Sequence, residues 1–440
     1  MFDIREKPDQ VQRAFLIGAY FDRRKADEAR ELLIELKELV ETLHINVIAT
    51  ELVFAREHTA RHFIGKGKAA ELMAQAHELQ ADCIVFDNEI SPGQQRAWES
   101  ESKLCVIDRH EVILDIFNMR AKTREARLQV ELARMEYSLP RLTRMWAHLD
   151  RQGGGAGGGK GGAGAARGEG ETQLEVDRRL ADKRLDKLKA ELEEVKKQRD
   201  TMRKERSRVP LPHVAIVGYT NAGKSSLLNK LSNSDVLAED KLFATLDTTT
   251  RRLEMPDGQA LLITDTVGFI RNLPHDLVQS FRATLEEAVL SDFLIHVIDA
   301  SSSQALEFYQ TTTKVLTELG AGEKRVLLAL NKVDLIDDTR LMELKRQFPE
   351  AVPISVRTGQ GLEDLFHRMH DLLIDRVIRL ELSIPLNRMD LVALAHEQGK
   401  VLSEDYEQGV ADIQCVVPKR LESRFTEFLK PQKKAKKALK

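Results

Sequence analysis

The sequence predicts a multidomain α/β protein, and three observations carry that prediction. Its 440 residues exceed what one ordinary core holds. Two separate blocks alternate short apolar runs with amphipathic stretches, and between them stand two long segments with a heptad pattern. Hydrophobic residues make up 42% of the chain, enough for globular folding. The 67 basic and 70 acidic residues leave a net charge of −3, so their distribution is more informative than their sum.

The first block, residues 1–112, reads as a small α/β domain with a largely parallel sheet. Its expected strands are Ala14 to Ile17, Val47 to Ala49, Cys83 to Phe86 and Leu104 to Ile107, with helices around Ala26 to Leu43, Lys68 to Leu79 and Gly93 to Ser102. Phe63-Ile64-Gly65-Lys66-Gly67-Lys68 resembles a phosphate-binding loop without its spacing, and serves equally as a helix-opening turn or an anion contact.

Residues 113–209 are expected to form an antiparallel helical hairpin. Leu128, Leu132, Met135 and Leu139 mark one seam, and Ala181, Leu185, Leu188, Leu192 and Val195 the other, with spacings that alternate between three and four. Arg199 interrupts the second seam. Between the helices, Gly153 to Gly170 holds 11 of the chain's 25 glycines and cannot bury apolar surface. From Arg120 to Pro210 there are 23 Lys and Arg against 15 Asp and Glu, which favours a cationic probe for nucleic acid over an idle linker.

Residues 210–378 form the second block. Gly218-Tyr219-Thr220-Asn221-Ala222-Gly223-Lys224-Ser225 follows the apolar run Val214-Ala215-Ile216-Val217 and spells a phosphate loop in its proper context, a strand before it and a helix after. Backbone N–H groups there can cradle a polyphosphate. Lys224 can reach the β and γ phosphates and Ser225 can ligate Mg²⁺. The nucleotide is selected by Asn331-Lys332-Val333-Asp334, because the Asp334 carboxylate can accept from guanine N1–H and the 2-amino group, an arrangement adenine lacks. Ser355-Val356-Arg357 stands where a short S-A-K-like turn backs the base, with Val356 and Arg357 departing from that pattern.

Asp265-Thr266-Val267-Gly268 supplies a carboxylate for Mg²⁺ through water and, at Gly268, an N–H that can sense the γ-phosphate. In Phe243-Ala244-Thr245-Leu246-Asp247-Thr248-Thr249-Thr250 four threonines compete for the second magnesium hydroxyl. Phe269 occupies the place where a glutamine often orients the attacking water, which implies slow hydrolysis without a partner. The second block therefore reads as a Ras-like P-loop GTPase domain.

Residues 379–429 suggest a small α+β domain, with strands at Arg379 to Ile384 and Ala411 to Val417 and helices near Met389 to Glu397 and Pro418 to Leu429. Residues 430–440 form a lysine-rich tail, suited to solvent or to RNA. Cys83, Cys105 and Cys415 lie far apart in sequence, which supports neither a zinc site nor a disulfide framework. No uncharged apolar run approaches about 18 residues, so a soluble cytoplasmic protein is expected.

In order and spacing these motifs resemble the translation-factor-related GTPases, in whose Obg-like members F-x-T-L is the usual switch, pointing to Thr245. Across essentially the whole chain the resemblance is to the HflX GTPases, carried by the domain order, F-A-T-L-D, D-T-V-G-F, Phe63 to Lys68 and Ser138-Leu139-Pro140-Arg141-Leu142. It implies a monomer that binds the large ribosomal subunit and its rRNA near the peptidyl-transferase region. It further implies that the protein separates or rescues stalled ribosomes under stress, with Mg²⁺ as cofactor and Lys224, Thr245 and Gly268 as catalytic residues. Two other uses of a GTPase remain open: an accessory factor in large-subunit assembly or RNA modification, and a regulatory module acting on a protein or membrane.

Overall fold

The computed structural model describes residues 11–142, 166–206, 211–232, 242–256, 260–272, 282–374, 377–407, 409–418 and 421–430. Most of the Gly-rich stretch and the lysine-rich tail lie outside the described residues. The chain divides into two compact units, the first made of Met1–Lys196, Ala238–Asp247 and Val267–Thr284, the second of Lys197–Leu237, Thr248–Thr266 and Leu285–Lys440.

The first unit is built on β1 (Arg13–Tyr20), α1 (Ala26–Thr42), β2 (Asn46–Phe54), α2 (Lys66–Glu78), β3 (Cys83–Phe86), α3 (Pro92–Ser102), β4 (Cys105–Asp108) and α4 (Arg109–Arg120). Its four strands are parallel in the order β2-β1-β3-β4. Strand β1 is interior to the sheet and has helices packed on its faces, so its six central residues are all buried and its sequence is a continuous apolar run, not an alternating one. Helix α3 starts where the local chemistry demands: Ser91 and Gln94 form a reciprocal capping box and Pro92 occupies the first turn. The Phe63 to Lys68 segment opens α2, with Gly65 at its N-cap and Lys68 paired to Glu71 at 2.6 Å, the helix-opening alternative.

The hairpin follows as α5 (Arg124–Leu142) and α6 (Ala166–Arg206), so helix begins inside the Gly-rich stretch. Leu128, Leu132 and Leu188 are buried against one another, with Met135, Leu185, Leu192 and Val195 packed around them, the seam that the heptad spacing marks. Glu131 meets Arg184 at 2.6 Å and Arg124 meets Glu191 at 3.8 Å, a descending register that makes the pair antiparallel. Arg141 holds the far end of α5 by donating to the carbonyls of Ile90 and Tyr137, both at 3.1 Å, and to Gln95 Oε1 at 3.2 Å. Arg199, which interrupts the seam, lies in the second unit and pairs with Glu286 at 2.8 Å.

The second unit carries β5 (His213–Gly218), α7 (Lys224–Ser232), β6 (Thr249–Glu254), β7 (Ala260–Asp265), α8 (Arg282–Leu290), β8 (Phe293–Asp299), α9 (Ala305–Glu318), β9 (Val326–Asn331), α10 (Asp338–Gln347), β10 (Val352–Pro353) and α11 (Leu362–Ile374). Helix α8 starts within the first unit at Arg282 and runs on into the second. The six strands order as β10-β9-β8-β5-β7-β6, and β6 alone runs antiparallel to its neighbour. Strand β5 sits centrally, so the loop after it opens at the carboxyl ends of the parallel strands, where open α/β sheets bind ligands.

A three-stranded antiparallel sheet, β11 (Val377–Pro385), β12 (Lys400–Glu407) and β13 (Val410–Pro418) in the order β11-β13-β12, closes the chain with α12 (Met389–Gln398) and α13 (Glu422–Phe425). The sequence predicts two strands here, and the structure has three. The third, β12, is an edge strand reading K-V-L-S-E-D-Y-E, and its charged residues are what an unpaired edge carries. Cys83 and Cys415 are buried and Cys105 is half-buried, all three as free thiols. Among the described residues no helix is long and apolar enough to cross a membrane.

Candidate functional site

The site grows from the end of β5, where Val214, Ala215, Ile216 and Val217 are fully buried. Gly218 leaves the strand at φ +148°, and a Cβ there would stand 2.3 Å from the Val297 carbonyl oxygen. Gly223 has φ +93°, and its Cβ would meet Asn331 Nδ2 at the same distance. Backbone thus passes where no side chain fits, the close approach that a phosphate cradle requires.

Lys224 opens α7 and is buried; its Nζ donates to the Tyr219 carbonyl at 2.8 Å, turning the ammonium back over the loop. Burial pulls its pKa down to about 8, against the opposing attraction of Asp265. The next residue, Ser225, donates its hydroxyl to Asp265 Oδ2 at 2.6 Å. Asp265 ends β7 fully buried, and Thr266 beside it is fixed by donating to the Ile216 carbonyl at 2.7 Å. A hydroxyl and a carboxylate at this separation form a hard-oxygen donor set of the kind Mg²⁺ takes. Among the described residues no group of three or more His, Cys, Asp or Glu gathers as a metal cage.

The base-recognition elements are tied to the phosphate loop by one side chain. Asn331 Nδ2 donates to the Ala222 carbonyl at 2.8 Å, while Asn331 Oδ1 accepts the Val356 N–H at 3.1 Å. Both ends of the amide are therefore used, and three loops are held in register. Lys332 takes a left-handed conformation (φ +66°) and pairs with Asp299 at 2.7 Å. Asp334 receives the Ser355 hydroxyl at 2.7 Å, with Arg357 4.0 Å from its other oxygen. The departures at Val356 and Arg357 leave this support intact, because the contact at Val356 is made by backbone. Tyr219 stacks on Phe308 with ring centroids 3.8 Å apart. Neither Asp299 nor Phe308 stood out in the sequence, since each lies in an unrelated segment and meets its partner only through the fold.

One unit therefore brings together Gly218 to Ser225, Asp265, Thr266, Asn331 to Asp334 and Ser355 to Arg357. Phe243 to Asp247, Val267 and Gly268 are grouped with the first unit. There Leu242, Phe243 and Leu246 are buried, and the Phe243 ring meets Phe117 edge-on at 4.7 Å. Asp247 turns its carboxylate to Lys122 and Thr123. Val267, Phe269 and Ile270 are buried, so Phe269 is a packing residue.

A phosphate loop, a carboxylate beside its serine, and an N-K-x-D turn bound to that loop define a P-loop GTPase. Comparison with known proteins narrows the class. Residues 213–332 match the family described as 50S ribosome-binding GTPase, residues 30–118 that described as GTP-binding GTPase N-terminal, and residues 120–206 that described as GTP-binding GTPase Middle Region. The chain is 54% identical over 434 residues to the GTPase HflX of Akkermansia muciniphila, covering 98% of this chain and 99% of that protein. It is 40% identical over 432 residues to the HflX of Chlamydia pneumoniae (97% and 90% covered) and 40% identical over 387 residues to that of Escherichia coli (88% of each). The chain belongs to the HflX family of GTPases, and its reaction is the hydrolysis of GTP.

Proposed function

We propose that this chain spends its GTP cycle on the ribosome, binding the large subunit and its rRNA near the peptidyl-transferase region and separating or rescuing stalled particles. The observation that supports this most directly is the match of residues 213–332 to a family described as 50S ribosome-binding. The surplus of basic residues in 120–210, around the two helices of the hairpin, suits an RNA partner. In this reading the protein acts in the cytoplasm as a monomer, with an N-terminal domain at 1–112, a hairpin at 113–209, a GTPase domain at 210–378 and a C-terminal domain at 379–429.

Mg²⁺ would be held by Ser225 and Thr245 directly and by Asp265 through water, and would neutralise charge developing between the β and γ phosphates. Lys224 faces the same charge. Thr245 and the Gly268 N–H sense the γ-phosphate, so the segments carrying them take one arrangement with GTP and another with GDP. Phe269 offers no hydrogen bond to water, so hydrolysis is slow in the free protein and rises when a ribosomal partner completes the geometry. By linkage, a subunit that binds the GTP state better must tighten GTP binding equally.

Single-turnover hydrolysis with and without purified large subunits tests this, paired with gradient sedimentation of stalled ribosomes in GTP, GDP and a non-hydrolysable analogue. Stimulation together with subunit separation supports the reading. Equal rates and intact particles would sink it. Accumulation of subunit precursors on depletion would instead favour an assembly factor.

A further inference from the structure

The segment between the phosphate loop and β6 is fastened to the start of the hairpin by one carboxylate. Asp247 Oδ2 accepts the Lys122 N–H at 2.8 Å and the Thr123 N–H at 3.1 Å, and Oδ1 accepts the Thr123 hydroxyl at 2.5 Å. Thr123 is at the same time the cap of α5. Its Oγ1 accepts the Ala126 N–H at 3.1 Å, and its carbonyl accepts the Arg127 N–H at 3.1 Å. The hydroxyl thus acts in both directions, donating to Asp247 and accepting from the helix it starts. A negative group at this end of α5 is also favoured by the helix dipole.

Four residues earlier the same segment is fastened again, where the buried Phe243 ring packs edge-on against Phe117 of α4. Phe243 has φ +53°, a conformation that costs a non-glycine residue energy and persists only where surroundings enforce it. Ala244, Thr245 and Leu246 are strung between these two anchors on the corner where α4 gives way to α5. Thr245 cannot change place without releasing an anchor or carrying that corner along.

We infer that Asp247 is a positioning residue that couples the segment carrying Thr245 to the first turn of the hairpin, so that the two rearrange together during the GTP cycle. This rests on the reading above, in which Thr245 completes the magnesium site in the GTP state. The coupling is a local hydrogen-bonded joint and needs no contact between Asp247 and nucleotide.

The test is a double-mutant cycle in the full chain, read by single-turnover GTP hydrolysis and by amide exchange at residues 122–127 in GDP and in a non-hydrolysable GTP analogue. In the wild type, exchange at the Lys122 and Thr123 amides should differ at least severalfold between the two nucleotides. Asp247→Ala should abolish that difference and slow hydrolysis about tenfold, Thr123→Val should do the same, and the pair together should be no worse than either alone. Thr123→Ser, which keeps the hydroxyl, should restore both readouts. Additive losses, or exchange that ignores the nucleotide in the wild type, would overturn the coupling. Thr245→Ala separates the two ideas. Wild-type rate and magnesium dependence in that variant would defeat the Thr245 assignment, whereas an impaired Thr245→Ala beside additive Asp247 and Thr123 effects would defeat the coupling alone.

Discussion

Asn331 shows how much of the site depends on single side chains. Its amide bonds both the phosphate loop and the Val356 backbone, so Asn331→Ala leaves a buried carbonyl and a half-buried N–H without their partner. The expected cost is about 2 to 3 kcal/mol of nucleotide binding, a loss on the order of 100-fold in GDP affinity by fluorescent-nucleotide titration. Gly223→Ala should be more severe, because the added methyl would occupy the space of Asn331 Nδ2. GDP titration should then detect no binding in the micromolar range. A third residue gives a pH dependence. His296 is buried on β8, and that burial, with the Lys224 charge beside it, lowers its pKa from 6.5 to about 3. Below pH 6.5 the unfolded chain takes up a proton that the folded one refuses. Stability from this group is complete above pH 6.5 and is lost as pH falls toward 3, by up to about 1.4 kcal/mol per pH unit. His296→Gln should flatten that part of the acid limb in urea titrations, and an unchanged slope would contradict the buried neutral imidazole.

Elements differ in how plainly their sequences announce them. The phosphate loop and N-K-V-D were legible because each is contiguous and each sits at the end of a buried strand, β5 and β9. The hairpin seam was legible for a different reason, since helical spacing alone decides which residues face the partner helix. Leu188 lies at its centre, 1% exposed, and Leu188→Ala should cost about 2 to 5 kcal/mol in hairpin stability while leaving GDP affinity within twofold. Helix loss by circular dichroism, with nucleotide titration alongside, checks both halves of that expectation. Strand β12 was not legible although it pairs with β13 in a tight hairpin that closes at Glu407 and Val410, because its side chains follow an edge's need for charge, which masks the apolar alternation of a strand. The joint at Asp247 was hidden for a different reason: its partners Lys122 and Thr123 lie more than a hundred residues away, and nothing local distinguishes a nucleotide-contacting aspartate from a helix-capping one.

At the scale of the whole molecule, each unit has its own buried core, one around β1 and β3 and one around β5, β7 and β8. The phosphate loop and base-recognition turns all belong to the second. Calorimetry should therefore resolve two transitions, with GDP at 100 times its Kd raising one of them by about 2.7 kcal/mol of stability and the other little. A single transition that moves as a whole would show that the units melt as one. The division of the chain between them has a further consequence for synthesis. After Lys196 the polypeptide leaves the first unit, returns for Ala238–Asp247, leaves, and returns again for Val267–Thr284. Domains usually fold in order as they emerge from the ribosome, the N-terminal one first. Here the first unit cannot finish until residue 284 has been made. A chain truncated during translation anywhere before that point is left with an incomplete N-terminal unit, open to proteolysis and unable to deliver a half-built switch.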